Sequence, residues 1–256
     1  MMPARLLECS DVIDLPLPPA EYRHLVGPTD PKAFDDPNAR LNFDRLPPRT
    51  FASIFDFGCG CGRLARQFIL NGTIPSRYLG IDPHKGMIDW CRDNLTSRAP
   101  QFEFRHHDVF QEFMNPDGRC EQLPLPAHDS SVTLFLAWSV FTHLLPLDAE
   151  YYLRELSRVL SPDGVAVTTW FLFDKREFPM MQPFQNALYI SDFDPTNAVI
   201  FDRAWMMRTA EAAGLVVSRA VPPEVRGYHW VIHFERHAPG RASVSLPIDE
   251  APRGVA

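Results

Sequence analysis

Apolar residues recur along this chain with two different periods. Phe51–Phe57 (FASIFDF) is apolar at most positions and predicts a buried strand. Arg77–Ile81, Val132–Ala137 and Val165–Phe173 predict further strands, as do Leu215–Ala220 and His229–Phe234. In Phe102–His107 the residues Phe102, Phe104 and His106 alternate with charged neighbours, the period of a strand. Between these runs the period lengthens. Arg63–Leu70 predicts a helix, and Lys85–Leu95 places Met87, Ile88, Cys91 and Leu95 on one helical face. Asp148–Leu160 predicts another helix, stopped by Ser161-Pro162-Asp163-Gly164. Asp202 is a good N-cap for a helix reaching Ala213, with Gly214 as its stop. Asn115–His128, broken by Pro116, Gly118, Pro124 and Pro126, is a loop.

Strand–helix alternation of this kind predicts an α/β fold, a doubly wound and mostly parallel sheet of seven strands. Ligands then sit at the carboxyl ends of the strands, just after Phe57, Ile81, His107 and Ala137. Three segments stand outside the alternation. Residues 1–49 hold nine of the 25 prolines and predict an extended arm with few regular elements. Residues 175–200 are an irregular insertion within the domain spanning 50–237. Residues 238–256 are poor in large apolar groups and predict a flexible tail.

Hydrophobic residues make up 45% of the chain and charged residues 22%, which excludes wholesale disorder, collagen and coiled coil. The net charge of −7 argues against a general nucleic-acid binder. Only Lys32, Lys85 and Lys175 are lysines; the other basic residues are arginines. The most apolar run, Val132–Phe141, is about half the roughly 20 residues of a spanning helix. No signal-peptide core is present at the N-terminus, and five scattered cysteines, among them Cys9, read as reduced thiols of a cytoplasmic protein. Oligomeric state, monomer or homodimer, stays open.

The most informative segment is Asp56-Phe57-Gly58-Cys59-Gly60-Cys61-Gly62. It follows a predicted strand and opens a predicted helix, and its glycines allow a tight turn against a ligand. A dinucleotide fingerprint fits it poorly: counted from Gly58, the third glycine falls on Arg63. Asp56 would repel a pyrophosphate and welcome the ammonium of an amino-acid-like ligand. Asp82 and Asp108 end the next two strands. A carboxylate at Asp82 can accept from ribose hydroxyls, and one at Asp108 from an amine such as that of adenine. His106 and His107, adjacent on a strand, point to opposite faces and do not share an ion, and Cys59 with Cys61 are too few for structural zinc, so no metal is expected.

With DFGCGCG at 56–62, YLGIDP at 78–83, FRHHDV at 104–109, LAWSVFTHL at 136–144 and YLRELSRVLSPDGVAVTTW at 152–170, the chain resembles the class I S-adenosylmethionine-dependent methyltransferases, in their small-molecule branch. The resemblance implies a Rossmann-like sheet and S-adenosyl-L-methionine as cofactor. It implies that Asp56, Gly58 and Gly60 hold the methionine end and Asp82 the ribose. It places adenine by Asp108 and the backbone of Val109, between Ile81 and Met87, and lines the methionine side with Ala137 and Trp138. Arg63 either approaches the cofactor carboxylate or lies on the helix surface.

Methyl transfer from a sulfonium needs alignment, and a base only where the acceptor must lose a proton. His143 is the candidate base for O-methylation of a sugar, lipid or secondary metabolite; alternatively it orders its loop. Tyr22 and His24 belong to the arm, which folds over the cofactor as a lid and shapes the acceptor site, where both would contact the substrate, or else straps the domain. Phe178 and Tyr189, with Met180, Met181 and Phe184, cap an acceptor pocket from the insertion, or pack on the sheet or a second subunit. His229 and Trp230 read as core or rim. A nicotinamide-dependent oxidoreductase and a non-catalytic cofactor-binding partner protein are the competing functions. Apart from the small-molecule acceptor, neither nucleic acid nor membrane is an expected partner.

Overall fold

The computed structural model describes residues 15–27, 29–35 and 46–247. They form two compact units that divide after Gly118. Cys9, much of the arm and the final residues 248–256 lie outside the described residues.

The first unit begins with two short helices, α1 (Ala20–Leu25) and α2 (Pro31–Phe34). Here the arm departs from the extended course its prolines predict. Proline is disruptive inside a helix but well placed at its start: Pro19 immediately precedes α1, and Pro31 opens α2 behind Asp30, whose side chain caps the N–H of Ala33. Strands β1 (Ser53–Phe57), β2 (Arg77–Asp82) and β3 (Phe102–His106) then pair in parallel, with β2 in the middle. Helix α3 (Arg63–Leu70) follows β1 and α4 (Lys85–Cys91) follows β2. Lys85 pairs with Asp89 along the first turns of α4. The amphipathic run continues beyond α4 as a π-helical turn, Arg92–Thr96, that brings Leu95 into the core. Tyr78, Phe102 and Phe104 fill the space beneath, with the Tyr78 and Phe102 rings 4.8 Å apart.

The second unit is built on β5 (Leu160–Phe173). On one side lies β4 (Val132–Ala137), parallel to it; on the other, β9 (Trp230–Arg236) runs antiparallel and is itself paired with β8 (Leu215–Val221). Helix α5 (Pro146–Val159) precedes β5, and α6 (Arg203–Ala212) precedes β8. Asp202 caps α6 through the N–H of Trp205, and Gly214 ends it at φ +79°. The Ser161–Gly164 turn that the sequence predicts is taken up as an irregularity inside β5, where the register with β4 shifts. Trp170 centres this core: it stacks on Phe141 at 4.3 Å and meets Phe201 edge-on at 5.3 Å.

Two further corrections concern this unit. The insertion is not wholly irregular. It contains β6 (Ala187–Tyr189) and β7 (Val199–Asp202), an antiparallel pair, and β7 runs parallel to the end of β5. The seven predicted strands are present among the described residues, and the insertion adds these two, because the last residues of β5 run past β9 and pair with β7. The tail is not loose as far as it is described. Val244 donates to the Val217 carbonyl at 2.8 Å and Ser243 Oγ accepts from the Val217 N–H at 3.1 Å, so this segment runs along β8. No helix among the described residues is long and apolar enough to cross a membrane.

Candidate functional site

The glycine loop runs through the left-handed region at Gly58, Gly60 and Gly62, with φ of 75°, 53° and 77°. The N–H groups of Gly58 and Cys59 both donate to the Ile81 carbonyl, at 2.8 and 3.0 Å, which straps the loop to the end of β2. Asp82 joins the two ends more tightly. One carboxylate oxygen accepts from the Gly60 N–H and the other from the His84 N–H, each at 2.8 Å. Burial raises the Asp82 pKa, and the bonds from His84 and Gly60 oppose that rise. A carboxylate offers about four acceptor positions, so two remain for a diol.

Asp56 is buried at the end of β1, and Tyr78 on β2 donates its phenolic hydrogen to one of its oxygens. The other oxygen, Oδ1, is buried and has no hydrogen-bond partner. Burial pushes the Asp56 pKa up to about 7, the Tyr78 bond pulls it down, and the nearby charge of Asp82 adds to the rise. An orphaned buried oxygen of this kind suits a donor brought by a ligand, and an ammonium suits it best. The residues therefore fit S-adenosylmethionine: a cationic methionine end at Asp56 and a ribose at Asp82.

The arm lies over this loop. Val26 sits so close to Gly60 that a Cβ there would come within 2.5 Å of the valine methyl. Tyr22 packs edge-on against the His84 ring at 5.3 Å, and its hydroxyl stands 2.6 Å from where a Gly86 Cβ would lie. Phe34, Cys61 and Met87 form one buried cluster, flanked by Leu17, Tyr22 and Val26. His24 points its side chain to the exposed surface. Arg66, a buried residue of α3, fastens the arm from below. It holds Asp35 with two bonds, at 2.5 and 2.9 Å, and donates to the Leu15 and Pro16 carbonyls at 2.6 Å each.

At the end of β3, Asp108 accepts from the Asn115 amide at 3.1 Å, and the same amide reaches the Val109 carbonyl at 3.0 Å. The Val109 N–H is turned inward to the His107 carbonyl at 2.7 Å. His106 bonds the Pro83 carbonyl at 2.9 Å, while His107 is buried beside Phe57, the opposite orientations expected of neighbours on a strand. Among the described residues no group of three potential ligands converges on a metal position.

In the second unit, Ala137 is buried and Trp138 half-buried at the carboxyl end of β4. The next residue, Ser139, has φ 57°, one of two non-glycine residues with positive φ among those described. Its N–H is held by Thr169 Oγ1 at 2.7 Å and its hydroxyl lies 3.2 Å from His229 Nε2. His229 stacks on Phe171 at 4.7 Å. His143 is exposed, and its Nδ1 bonds the Thr196 carbonyl of the insertion at 2.9 Å. Since a carbonyl only accepts, Nδ1 carries a hydrogen, and in the neutral ring Nε2 is then the acceptor. Phe178 packs edge-on against Phe173 at 5.5 Å yet stays 43% exposed, as does Tyr189 on β6. The exposed apolar groups of the insertion include Met180, Phe184 and Phe193.

Sequence reasoning missed Val26, Tyr78, Asn115 and Ser139, and gave His229 no role. Asn115 has its partners within seven residues, but the partners of the others lie far along the chain, where no local pattern marks such contacts.

Residues 54–164 match the model of a family described as a methyltransferase domain. A methyltransferase of Leishmania major, of known structure, is 16% identical with a TM-score of 0.59, over 85% of this chain and 78% of that one. The PH0226 protein of Pyrococcus horikoshii is 16% identical with a TM-score of 0.54, over 85% of this chain and 99% of its own. The O-methyltransferase NcsB1 of neocarzinostatin biosynthesis was solved with S-adenosyl-L-homocysteine and 1,4-dihydroxy-2-naphthoic acid. It is 14% identical with a TM-score of 0.50, over 76% of this chain, which spans only 52% of NcsB1. At such identities the likeness is one of fold: the mostly parallel, Rossmann-like methyltransferase sheet.

Proposed function

We propose that this class I S-adenosylmethionine-dependent methyltransferase methylates a hydroxyl oxygen of a small molecule, a sugar, lipid or secondary metabolite. The observation that carries the reading is the pair of buried carboxylates. Asp56 keeps one oxygen without a partner, and Asp82 keeps acceptor positions after binding two backbone N–H groups. In this reading Asp56, Gly58 and Gly60 face the methionine end of the cofactor and Asp82 its ribose. Asp108 at the Val109 turn serves the adenine, with Ile81 and Met87 as apolar walls. Ala137 and Trp138 line the methionine side.

When bound, the cofactor supplies a methyl group already activated on a sulfonium. The chain's own task is to orient the acceptor, exclude water and handle its proton. His143 suits the last of these, because its Thr196 bond fixes the tautomer with Nε2 free. The apolar side chains Phe178 and Tyr189 of the insertion 175–200 favour an acceptor with an apolar portion. The arm, through Val26 and Tyr22 and with His24 at its surface, acts as a lid on the glycine loop. The acidic net charge of −7 favours a small molecule over a nucleic acid.

Calorimetry with S-adenosylmethionine, S-adenosylhomocysteine and NADH tests the cofactor side. The first two are expected to bind in the micromolar range and NADH not at all. A screen with methyl-labelled cofactor against hydroxylated sugars, lipids and phenols then tests the acceptor side. Transfer only to amines would refute the oxygen assignment.

A further inference from the structure

Ser139 and His229 are 90 residues apart and meet at the carboxyl end of β4, where the acceptor of the proposed reaction approaches. Three constraints hold the pair. Ser139 occupies the left-handed region at φ 57°, which is costly for a residue with a Cβ. That cost persists because the Thr169 hydroxyl, buried on β5, holds the Ser139 N–H at 2.7 Å. Strain of this kind, fixed by its surroundings, marks functional positions. On the other side, the His229 ring lies flat on Phe171, 16° from parallel, so Nε2 stays aimed at the hydroxyl. Both residues are half-buried, open enough to be reached from outside.

We infer that Ser139 and His229 form a proton relay for the acceptor hydroxyl, Ser139 contacting the acceptor and His229 acting through it. The inference rests on the oxygen-methylating reading and names its inner proton path. As the acceptor oxygen forms its bond to the methyl carbon, its proton passes to Ser139 Oγ and the serine proton passes to His229 Nε2. The methyl–sulfur bond breaks and its electron pair stays on sulfur, so charge and atoms balance.

Burial lowers the His229 pKa. The imidazole is thus neutral and able to accept a proton at neutral pH. His143 is the titratable group that bears on it; Phe171 and Ser139, the other contacts, carry no charge.

The test uses the full chain as wild type, Ser139→Ala, Ser139→Gly and His229→Gln. Glycine suits the backbone of position 139 and guards against a merely unfolded serine variant. Ring-nitrogen NMR of His229 needs no acceptor. Nε2 is expected as the unprotonated nitrogen in wild type, with a titration midpoint that moves when the serine hydroxyl is removed. A protonated Nε2 at neutral pH, or a midpoint indifferent to Ser139, overturns the relay. With any acceptor from the labelled-methyl screen, His229→Gln is expected to lower kcat about 100-fold, to leave KM within about threefold and to flatten the acid limb of the pH profile. An unchanged kcat and pH limb overturn the relay while the methylation reading stands. Should no hydroxyl accept methyl, that reading fails by itself and the NMR result alone decides whether the pair exists as drawn.

Discussion

Arg66 and Asp35, 31 residues apart, form a two-bond ion pair whose guanidinium also holds two arm carbonyls. One side chain thereby ties the arm to the helix that opens from the glycine loop. Removing it leaves a carboxylate and two carbonyls without their donor. Arg66→Ala is expected to lower stability by about 3 kcal/mol and to expose residues 15–35 to limited proteolysis. Lysine cannot reproduce the fork, so Arg66→Lys should recover only part of the loss. An unaltered cleavage pattern in Arg66→Ala would refute this role.

Asp82 is expected to matter twice, for the loop and for the cofactor. Asp82→Ala strips the Gly60 and His84 N–H groups of their acceptor, at a cost of about 1–3 kcal/mol in stability. Binding of S-adenosylhomocysteine should fall by more than tenfold even where circular dichroism shows a folded chain. Equal affinity in wild type and variant would separate Asp82 from the ribose.

Asp56 ties cofactor binding to protons. Its folded pKa of about 7 lies above the ordinary 3.8, so the folded chain holds the extra proton and stability falls as pH rises through that window. An ammonium placed at Oδ1 favours the charged carboxylate and expels the proton. At pH 6, binding heats in two buffers of different ionisation enthalpy should therefore report proton release, and Asp56→Asn should abolish it. Buffer-independent heats in the wild type would count against an ammonium at this oxygen.

His107 and His233 act in the opposite sense. Burial holds each at about 4 against an ordinary 6.5, so the unfolded chain takes up protons that the folded chain refuses. Their contribution is complete above pH 6.5 and is lost as pH falls toward 4. Denaturant titrations at pH 7.5 and 5 should show a stability loss that shrinks by roughly 2 kcal/mol in His107→Asn. A loss of the same size in wild type and variant would remove His107 from the account.

Much of the fold was legible because its signals are local. Arg63–Leu70 and Val132–Ala137 appear where apolar spacing alone puts them, and Asp56, Gly60 and Asp82 announce themselves at strand ends. The contacts that complete the site are not local. Val26 reaches Gly60, Tyr78 reaches Asp56 and His229 reaches Ser139 only after the strands have paired. The β6–β7 hairpin was hidden for another reason. Its neighbourhood exposes Phe184 at 78% and Phe193 at 93%, so the hydrophobic pattern there does not follow burial.

The scarcity of lysine gives the chain a built-in set of labels. Lys32 belongs to the arm, Lys85 opens the helix beside Asp82, and Lys175 sits at the root of the insertion, where it donates to the Pro183 carbonyl at 2.9 Å. Each internal amine thus reports on a different part of the chain. An amine-reactive reagent read by mass spectrometry yields three rates, one each for the arm, the turn after Asp82 and the insertion. Comparing those rates with and without S-adenosylhomocysteine would tell which part responds, with no residue altered.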